Sequence, residues 1–245
     1  MKVTESGNLK HRQLRFEDYL QRVSAEQKEY AEVCAPSKMT ETDSTDTNKQ
    51  TDGLLEEILN AENLNRAYKQ VVRNKGAGGI DGMQVDELLP FLREHKKELI
   101  KSLQDGKYRP KPVRRVEIPK ENGKTRKLGI PTVVDRLIQQ AITQVLSPIF
   151  EKQFSDSSYG FRPNRSAHDA LRKCQVHVTD GYKYVVDMDL EKYFDTVNQS
   201  KLIQILSETI KDGRVISLIH KFLKAGVMVG GMFEESPRGV PQGDP

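Results

Sequence analysis

Tryptophan is absent from this chain, and its 245 residues hold only two cysteines. Cys34 and Cys174 are far apart and neither sits in a Cys-x-x-Cys, which argues against both a disulfide framework and a zinc cluster. Apolar residues are scarce too, at 36% of the chain. Globular sequences usually reach roughly 45–50%, a range that also counts glycine. Part of the chain is therefore expected to be unfolded or spread over a partner. No apolar run approaches the ~18 residues that read as a membrane span, and Met1-Lys2-Val3-Thr4-Glu5 has no signal-peptide apolar stretch. The expectation is a soluble cytoplasmic protein with reduced thiols and no membrane partner. The five histidines (His11, His95, His168, His177 and His220) form no metal-ligand spacing and support no His-Ser or His-Cys dyad, so they read as surface or packing residues.

What the chain does have is charge, with 39 Lys and Arg against 35 Asp and Glu, a net of +4. That balance averages two opposite parts. Residues 1–60 hold 8 basic and 12 acidic side chains, a net of −4, and residues 61–245 hold 31 and 23, a net of +8. Within the second part, 107–127 concentrates nine cations (Lys107, Arg109, Lys111, Arg114, Arg115, Lys120, Lys124, Arg126 and Lys127) against Glu117 and Glu121. Such a focus could steer a polyanion; a solvated strand face is the plainer alternative.

Periodicity organises the rest. Phe16, Tyr19, Leu20, Val23, Tyr30 and Cys34 predict an amphipathic helix over about 12–34. Ser37 to Gly53 is almost wholly polar, with Met39 its only large apolar residue, and reads as a disordered linker. Helical spacing resumes at Leu54, Leu55, Ile58 and Leu59 and again over Leu64 to Val72, then stops at Gly76-Ala77-Gly78-Gly79-Ile80-Asp81-Gly82. A further helix runs through Leu88, Leu92, Leu99 and Leu103 to Gly106. The period then changes to two: Val113 to Ile118 and Thr125 to Ile130 flank Glu121-Asn122-Gly123, and Asn-Gly is the strongest short hairpin signal. Thr132 with Asp135, and Ser166 with Asp169, are capping-box patterns that open helices through Leu146 and to about Val178. Helices are expected near 199–209 and 213–225, and a second hairpin over Val227 to Glu235 around Gly230-Gly231.

Tyr182 to Leu190 reads as a strand. Alternation puts Val186, Met188 and Leu190 on one face and Asp187 and Asp189 on the other, with Asp195 past a turn. Paired acids at a strand end suit Mg2+, which needs one or two carboxylates plus substrate phosphates; capping of the next helix by Asp189 or Asp195 is the alternative. Two phosphate-loop lookalikes fail. Gly123-Lys124-Thr125 would need glycine where Ile118 stands, and Gly76-x-Gly78 would need it where Asp81 stands.

Several blocks, taken together, resemble the reverse transcriptases encoded by group II introns, which also act as maturases. Leu54 to Gly82 resembles the family's N-terminal extension. Tyr108-Arg109-Pro110, with Ile118-Pro119-Lys120 to Arg126-Lys127-Leu128-Gly129-Ile130-Pro131-Thr132, resembles its first fingers block, and Ser158-Tyr159-Gly160-Phe161-Arg162-Pro163 the second. Asp189-Leu190-Glu191-Lys192-Tyr193-Phe194-Asp195 resembles the palm block with the first catalytic aspartate, and Gly239-Val240-Pro241-Gln242-Gly243 the block under template and nucleotide.

The resemblance implies RNA-directed DNA synthesis with two Mg2+ ions and a dNTP substrate, on an RNA template with a DNA primer, together with binding of group II intron RNA for splicing. Asp189 would be catalytic and a metal ligand, and Leu190 would lend its carbonyl. Lys120 and Arg126 would hold the triphosphate, Phe194 would pack under the deoxyribose, and Gln242 would lie against the incoming nucleotide. Lys107, Arg109, Lys111, Arg114, Arg115, Lys124 and Lys127 would contact nucleic acid. Arg162 and Arg165 would touch the template backbone, unless they pair with Asp156 or Asp169 instead.

Two departures qualify the match. Asp244 stands where the family more often has a small residue, and no Tyr-x-Asp-Asp block appears by Pro245. The 245-residue piece is therefore expected to bind RNA without polymerising, and self-association into a homodimer is expected if apolar helix faces are exposed. The rivals are a non-catalytic RNA-binding splicing cofactor and another retron-type reverse transcriptase. The expected fold is α+β: right-hand polymerase fingers and a partial palm, behind a helical N-terminal extension. Its parts are an amphipathic helix in 1–36, a linker over 37–53, the extension over 54–105, fingers over 106–181 and partial palm over 182–245.

Overall fold

The computed structural model describes residues 53–119, 123, 125–190 and 192–240. The N-terminal helix and most of the linker expected from the sequence lie outside them. The described part is α+β: helices α1 (Leu54–Ile58), α2 (Ala61–Asn74) and α3 (Leu88–Gln104); strands β1 (Val113–Pro119) and β2 (Thr125–Ile130); helices α4 (Val133–Glu151), α5 (Ala167–Thr179), α6 (Tyr193–Thr196), α7 (Gln199–Thr209) and α8 (Gly213–Leu223); and strands β3 (Val227–Val229) and β4 (Met232–Glu234). A short 3₁₀ turn, Val85–Glu87, precedes α3.

α4 is the central helix. Val133, Val134, Leu137, Ile138, Ala141, Ile142, Val145 and Leu146 are all buried, so it is apolar over more than one face and needs neighbours on several sides. α1 supplies Leu54, Leu55 and Ile58, α2 supplies Ala67 and Val71, and α8 supplies Val215 and Leu218. The small Ala67 and Ala141, both fully buried, allow close approach where α2 meets α4. A polar bridge keeps those two helices in register. Asn63 Nδ2 donates to the carbonyls of Ile58 and Ala141 at 2.9 and 3.0 Å, and Gln144 Nε2 donates to Asn63 Oδ1 at 2.8 Å. The starts of α4 and α5 carry the side-chain caps their sequence announced: Thr132 accepts from the Asp135 amide, and Ser166 and Asp169 form a reciprocal capping box.

Both expected hairpins are present, and they join into one mixed sheet of order β2-β1-β3-β4. β1 pairs antiparallel with β2 and parallel with β3, through Val113 opposite Val227 and Arg114 opposite Met228. Val113 and Val227 are both buried at this junction. No local signal in either hairpin announces the parallel step, because it joins residues more than a hundred positions apart.

The expected strand over Tyr182 to Leu190 is not formed. That segment enters no ladder among the described residues, and Tyr184, Val185, Val186, Met188 and Leu190 are all exposed. Alternation reports how side chains would face, but a strand also needs a hydrogen-bonding neighbour for its backbone, and none is supplied here.

Asp212 ties α8 to the first helix. Its Oδ1 accepts from the Arg214 amide, capping α8, while its Oδ2 accepts from the Leu55 amide at 3.1 Å. Arg214 donates to both Asp212 oxygens and reaches Glu56 with a bidentate fork at 2.6 and 2.7 Å. Burial alone would raise the Asp212 carboxyl; the donors from Arg214 and Leu55 outweigh it and hold the group below the usual aspartate value of 3.8. A depressed carboxyl adds stability above its unfolded value, and that stability is lost as pH falls through the folded one. Asp212→Asn should therefore lower stability at neutral pH by about 1–3 kcal/mol. It should also flatten the loss of stability below the ordinary aspartate value, as read from urea midpoints across the acid range.

Candidate nucleotide and nucleic-acid site

The basic hairpin is the first part of the site. Residues opposite each other across an antiparallel pair share a face, so the register places Arg114, Val116, Ile118, Arg126, Leu128 and Ile130 on one side. Arg115, Glu117 and Lys127 lie on the other side. The cations that look like one cluster along the chain are thus divided between two faces. Several are also engaged within the chain. Arg114 donates from Nε and Nη2 to the Gly78 carbonyl at 3.1 and 2.8 Å. Lys111 Nζ meets Asp81 and Lys107 Nζ meets Asp105, each at 3.1 Å and with the lysine well exposed. Arg115 Nε is buried without a hydrogen-bond partner. Arg109, Arg126 and Lys127 are exposed. Lys120, Lys124 and Gln242, expected at the triphosphate, the template and the nucleotide, lie outside the described residues.

The root of the hairpin is held by a fully buried carboxylate that sequence reading treated only as a helix cap. Asp135 Oδ1 accepts from the Tyr108 hydroxyl at 2.7 Å; Oδ2 accepts from the Thr132 hydroxyl at 2.7 Å and from the Lys111 amide at 3.2 Å. Burial pushes the Asp135 carboxyl up from its ordinary value, and the Thr132, Tyr108 and Lys111 donors pull against that shift. Burial, reinforced by the adjacent Asp135 charge, drives the Tyr108 hydroxyl far above its ordinary value, so it stays a donor. One carboxylate thereby joins the segment entering β1 to the start of α4.

The next residue acts on the glycine loop. The Arg136 guanidinium donates to the carbonyls of Gly76 and Ala77, at 3.4 and 2.8 Å, and with Arg114 on Gly78 it grips three successive carbonyls. The glycines permit this approach. A Cβ on Gly79 would lie 2.6 Å from Thr132 Cα and 2.8 Å from its amide nitrogen, both backbone atoms that cannot swing away.

The acidic end of the site is open. Asp187 and Asp189 are exposed, and Asp189 Oδ1 accepts from the Leu190 amide at 2.9 Å. Asp189 and the Leu190 carbonyl offer the hard oxygens that Mg2+ takes. Among the described residues no group of three or more Asp, Glu, His or Cys side chains gathers as a metal cluster, so the donors present fit part of a site only. Phe194, half exposed on α6, stands edge-on to Tyr193 with centroids 5.7 Å apart. Its carbonyl accepts from the Val240 amide at 2.8 Å, and the Val197 carbonyl accepts from the Gly239 amide at 2.9 Å. The turn bearing Phe194 is therefore bound to the stretch of chain that leads toward Gln242.

The two arginines past α4 are turned inward. The Arg162 side chain is only 5% exposed and takes Glu151, at 2.7 Å, as its ion partner; this pairing holds the glutamate below its usual range. Arg162 Nη1 also donates to the Ser155 and Ser158 carbonyls. Arg165 takes Asp156, one of the partners the sequence allowed, and lies over the Tyr159 ring. Asp169 pairs instead with Arg172. In this structure both guanidinium groups organise the loop over 151–165.

With this geometry in view, the comparisons with known proteins fall into place. Residues 118–245, just over half of the chain, match the family described as reverse transcriptase (RNA-dependent DNA polymerase), and the chain belongs to that family. Protein YkfC of Escherichia coli K12 is 40% identical over 205 residues, covering 81% of this chain and 54% of that protein. The group II intron-encoded protein LtrA of Lactococcus lactis subsp. cremoris is 42% identical over 178 residues, 72% of this chain and 29% of LtrA. A putative COX1/OXI3 intron 1 protein of Saccharomyces cerevisiae is 30% identical over 202 residues, 82% of this chain and 24% of that protein. The chain spans about half the length of the first of these relatives and less than a third of the other two. Among solved structures, a chain of a partial Cas6-RT-Cas1–Cas2 complex matches with a TM-score of 0.52 at 20% identity, covering 85% of this chain and 35% of that one, which shows a shared fold.

The close packing of the glycine loop on Thr132 is open to direct test. Gly79→Ala should push the loop off Thr132 and destabilise the protein by about 1–3 kcal/mol, measured by urea unfolding. Gly82→Ala, whose Cβ would meet nothing within 4 Å, is the comparison for the loop's own backbone preference.

Proposed function

We propose that this chain supplies the fingers and the first palm segment of an RNA-directed DNA polymerase that also binds group II intron RNA and assists its splicing. The observation that carries the reading is the family match over 118–245. It takes in β2 of the basic hairpin, the start of α4 whose Asp135 roots that hairpin, and a Phe194 turn bonded to the chain that leads to Gln242. The name of the Lactococcus relative supports intron RNA as the partner.

In this reading Lys120 and Arg126 receive the triphosphate of a dNTP, the arginine as a planar fork and the lysine as a point charge. Phe194 packs under the deoxyribose and disfavours a 2′-hydroxyl, and Gln242 lies against the nucleotide. The Asp189 carboxylate and the Leu190 carbonyl would hold Mg2+, which when bound stabilises the attacking and leaving oxygens of phosphoryl transfer. Arg109 and Lys127, exposed on the hairpin and its approach, attract template phosphates. Lys107 can exchange its exposed Asp105 partner for phosphate at small cost, since such pairs contribute about 0–1 kcal/mol. Lys111 presents an exposed ammonium while paired with Asp81. Arg114, Arg162 and Arg165 act on RNA through the loops they shape. No helix among the described residues is long and apolar enough to cross a membrane. A cytoplasmic setting and self-association through exposed apolar side chains complete the proposal; light scattering reads the latter.

RNA affinity should fall steeply with salt. The double change Arg109→Ala with Lys127→Ala should flatten the plot of log affinity against log salt, its slope dropping by about one for each phosphate the pair neutralises. An affinity independent of salt contradicts the clamp. In the protein that carries this chain, Asp189→Ala should abolish primer extension on poly(rA) with Mg2+ while intron splicing persists. Splicing by a wild-type protein that makes no DNA would instead establish the RNA-binding splicing cofactor.

A further inference from the structure

Gln199 is a polar side chain in the core, only 3% exposed at the first turn of α7. Its Nε2 lies 3.1 Å from the Leu223 carbonyl at the end of α8, 3.0 Å from the Ser236 carbonyl past β4, and 2.9 Å from the Gly239 carbonyl. Three carbonyls thus converge on one nitrogen that carries two hydrogens. The amide orientation follows from this convergence, because an oxygen at the same point would face three other oxygens. Its own Oε1 is buried without a hydrogen-bond partner. Leaving a buried amide oxygen unpaired is costly, and it marks a position where another requirement outweighs local satisfaction.

That requirement is visible close by. The chain over 194–199 and the chain over 236–240 are laced together by the Val240 amide on the Phe194 carbonyl, the Gly239 amide on the Val197 carbonyl, and Gln199 on the Gly239 carbonyl. The approach is as close as a backbone allows. Gly239 has a φ of 77°, and a Cβ there would lie 2.8 Å from the carbonyl oxygens of Phe194 and Asp195. Both sides of this lacing carry residues that face the nucleotide in the polymerase reading: Phe194 on one, and Gln242 three positions beyond Gly239 on the other. An apolar residue at 199 would leave three carbonyls without their donor and would free only the second side, since 194–198 is also held by its own turn and by Asn198 capping α7.

We propose that Gln199 is a positioning residue for nucleotide binding: it sets the distance between the Phe194 turn and the 236–240 segment, which leads into Gln242 in the sequence. The nucleotide part of this proposal rests on the polymerase reading, whereas the hold on 236–240 does not. The test compares Gln199→Leu, which removes the donor at similar size, with Gln199→His, which keeps a ring N–H. In the leucine variant hydrogen exchange at the Gly239 and Val240 amides should speed up about tenfold or more, while amides in α4 keep their protection. In the protein that carries this chain, the KM for dNTP should rise about tenfold with kcat nearly unchanged and RNA affinity intact, the pattern expected when binding alone is weakened. The histidine variant should recover most of both losses. Unchanged exchange at Gly239 and Val240 overturns the proposal, as does an equal loss of protection in α4, which would make Gln199 a general pillar of the fold. Local loosening with an unaltered dNTP KM overturns the nucleotide role. A wild-type protein that incorporates no dNTP overturns the polymerase reading and that role with it, and the exchange measurement still decides whether Gln199 holds the segment.

Discussion

A carboxylate placed in the interior must find donors on the spot, and Asp135 meets that demand by drawing the segment entering β1 onto the start of its own helix. The Tyr108 hydroxyl, the Lys111 amide and the Thr132 hydroxyl all end on its two oxygens. The basic hairpin leaves the body of the protein from this point, so the direction of β1 depends on a buried hydrogen-bonding requirement more than on the short sheet. Arg136 extends the same logic by taking the Gly76 and Ala77 carbonyls, while Arg114 takes Gly78. The glycine loop is thereby pressed against the start of α4, and the helix that dominates the core also anchors the basic hairpin.

A second polar knot stands apart from the first. Gln199, Gly239 and the carbonyls of Phe194 and Val197 bind the Phe194 turn to the chain that follows β4. The two knots share a physical style. In each, groups from separate segments meet one buried side chain: two hydroxyls and an amide on Asp135, three carbonyls on Gln199. Between them in the chain, the segment over 182–190 carries Asp189 and a row of exposed apolar side chains with no ladder of its own. The acidic end of the site thus has less support than the root of the basic hairpin and the Phe194 turn, which buried side chains tie to the body.

Much of this was legible along the chain. The Asn-Gly turn signal led correctly to β1 and β2, the Thr132-x-x-Asp135 and Ser166-x-x-Asp169 patterns to the starts of α4 and α5, and the ordered blocks from Ile118 onward to the family. The turn and cap patterns, and each family block taken singly, are local signals complete within a few residues. The signs that failed needed a partner the local pattern does not name. The strand expected over 182–190 had the right alternation and no neighbour. Arg162 was weighed against Asp156 and Asp169, yet Glu151 takes it, because the turn after α4 folds the chain back on the helix end. Asp135 was visible as a cap, but its roles toward Tyr108 and Lys111 were not, and Gln199 gave no signal at all beyond being a polar residue at a helix start.

The chain's own order of residues carries the period of most elements, the caps of α4 and α5, the two hairpins, the sign of the charge around 107–127 and the order of the blocks that define the family. These depend on residues within one or two turns of each other, where spacing dictates contact. Which cations face outward, that one hairpin pairs in parallel with the other, and that Asp135 and Gln199 tie separate segments together emerge only once the chain is packed. Those outcomes depend on burial. A polar group removed from water must take whatever donors or acceptors the packed chain brings within about 3 Å, and packing brings together residues that the sequence keeps far apart.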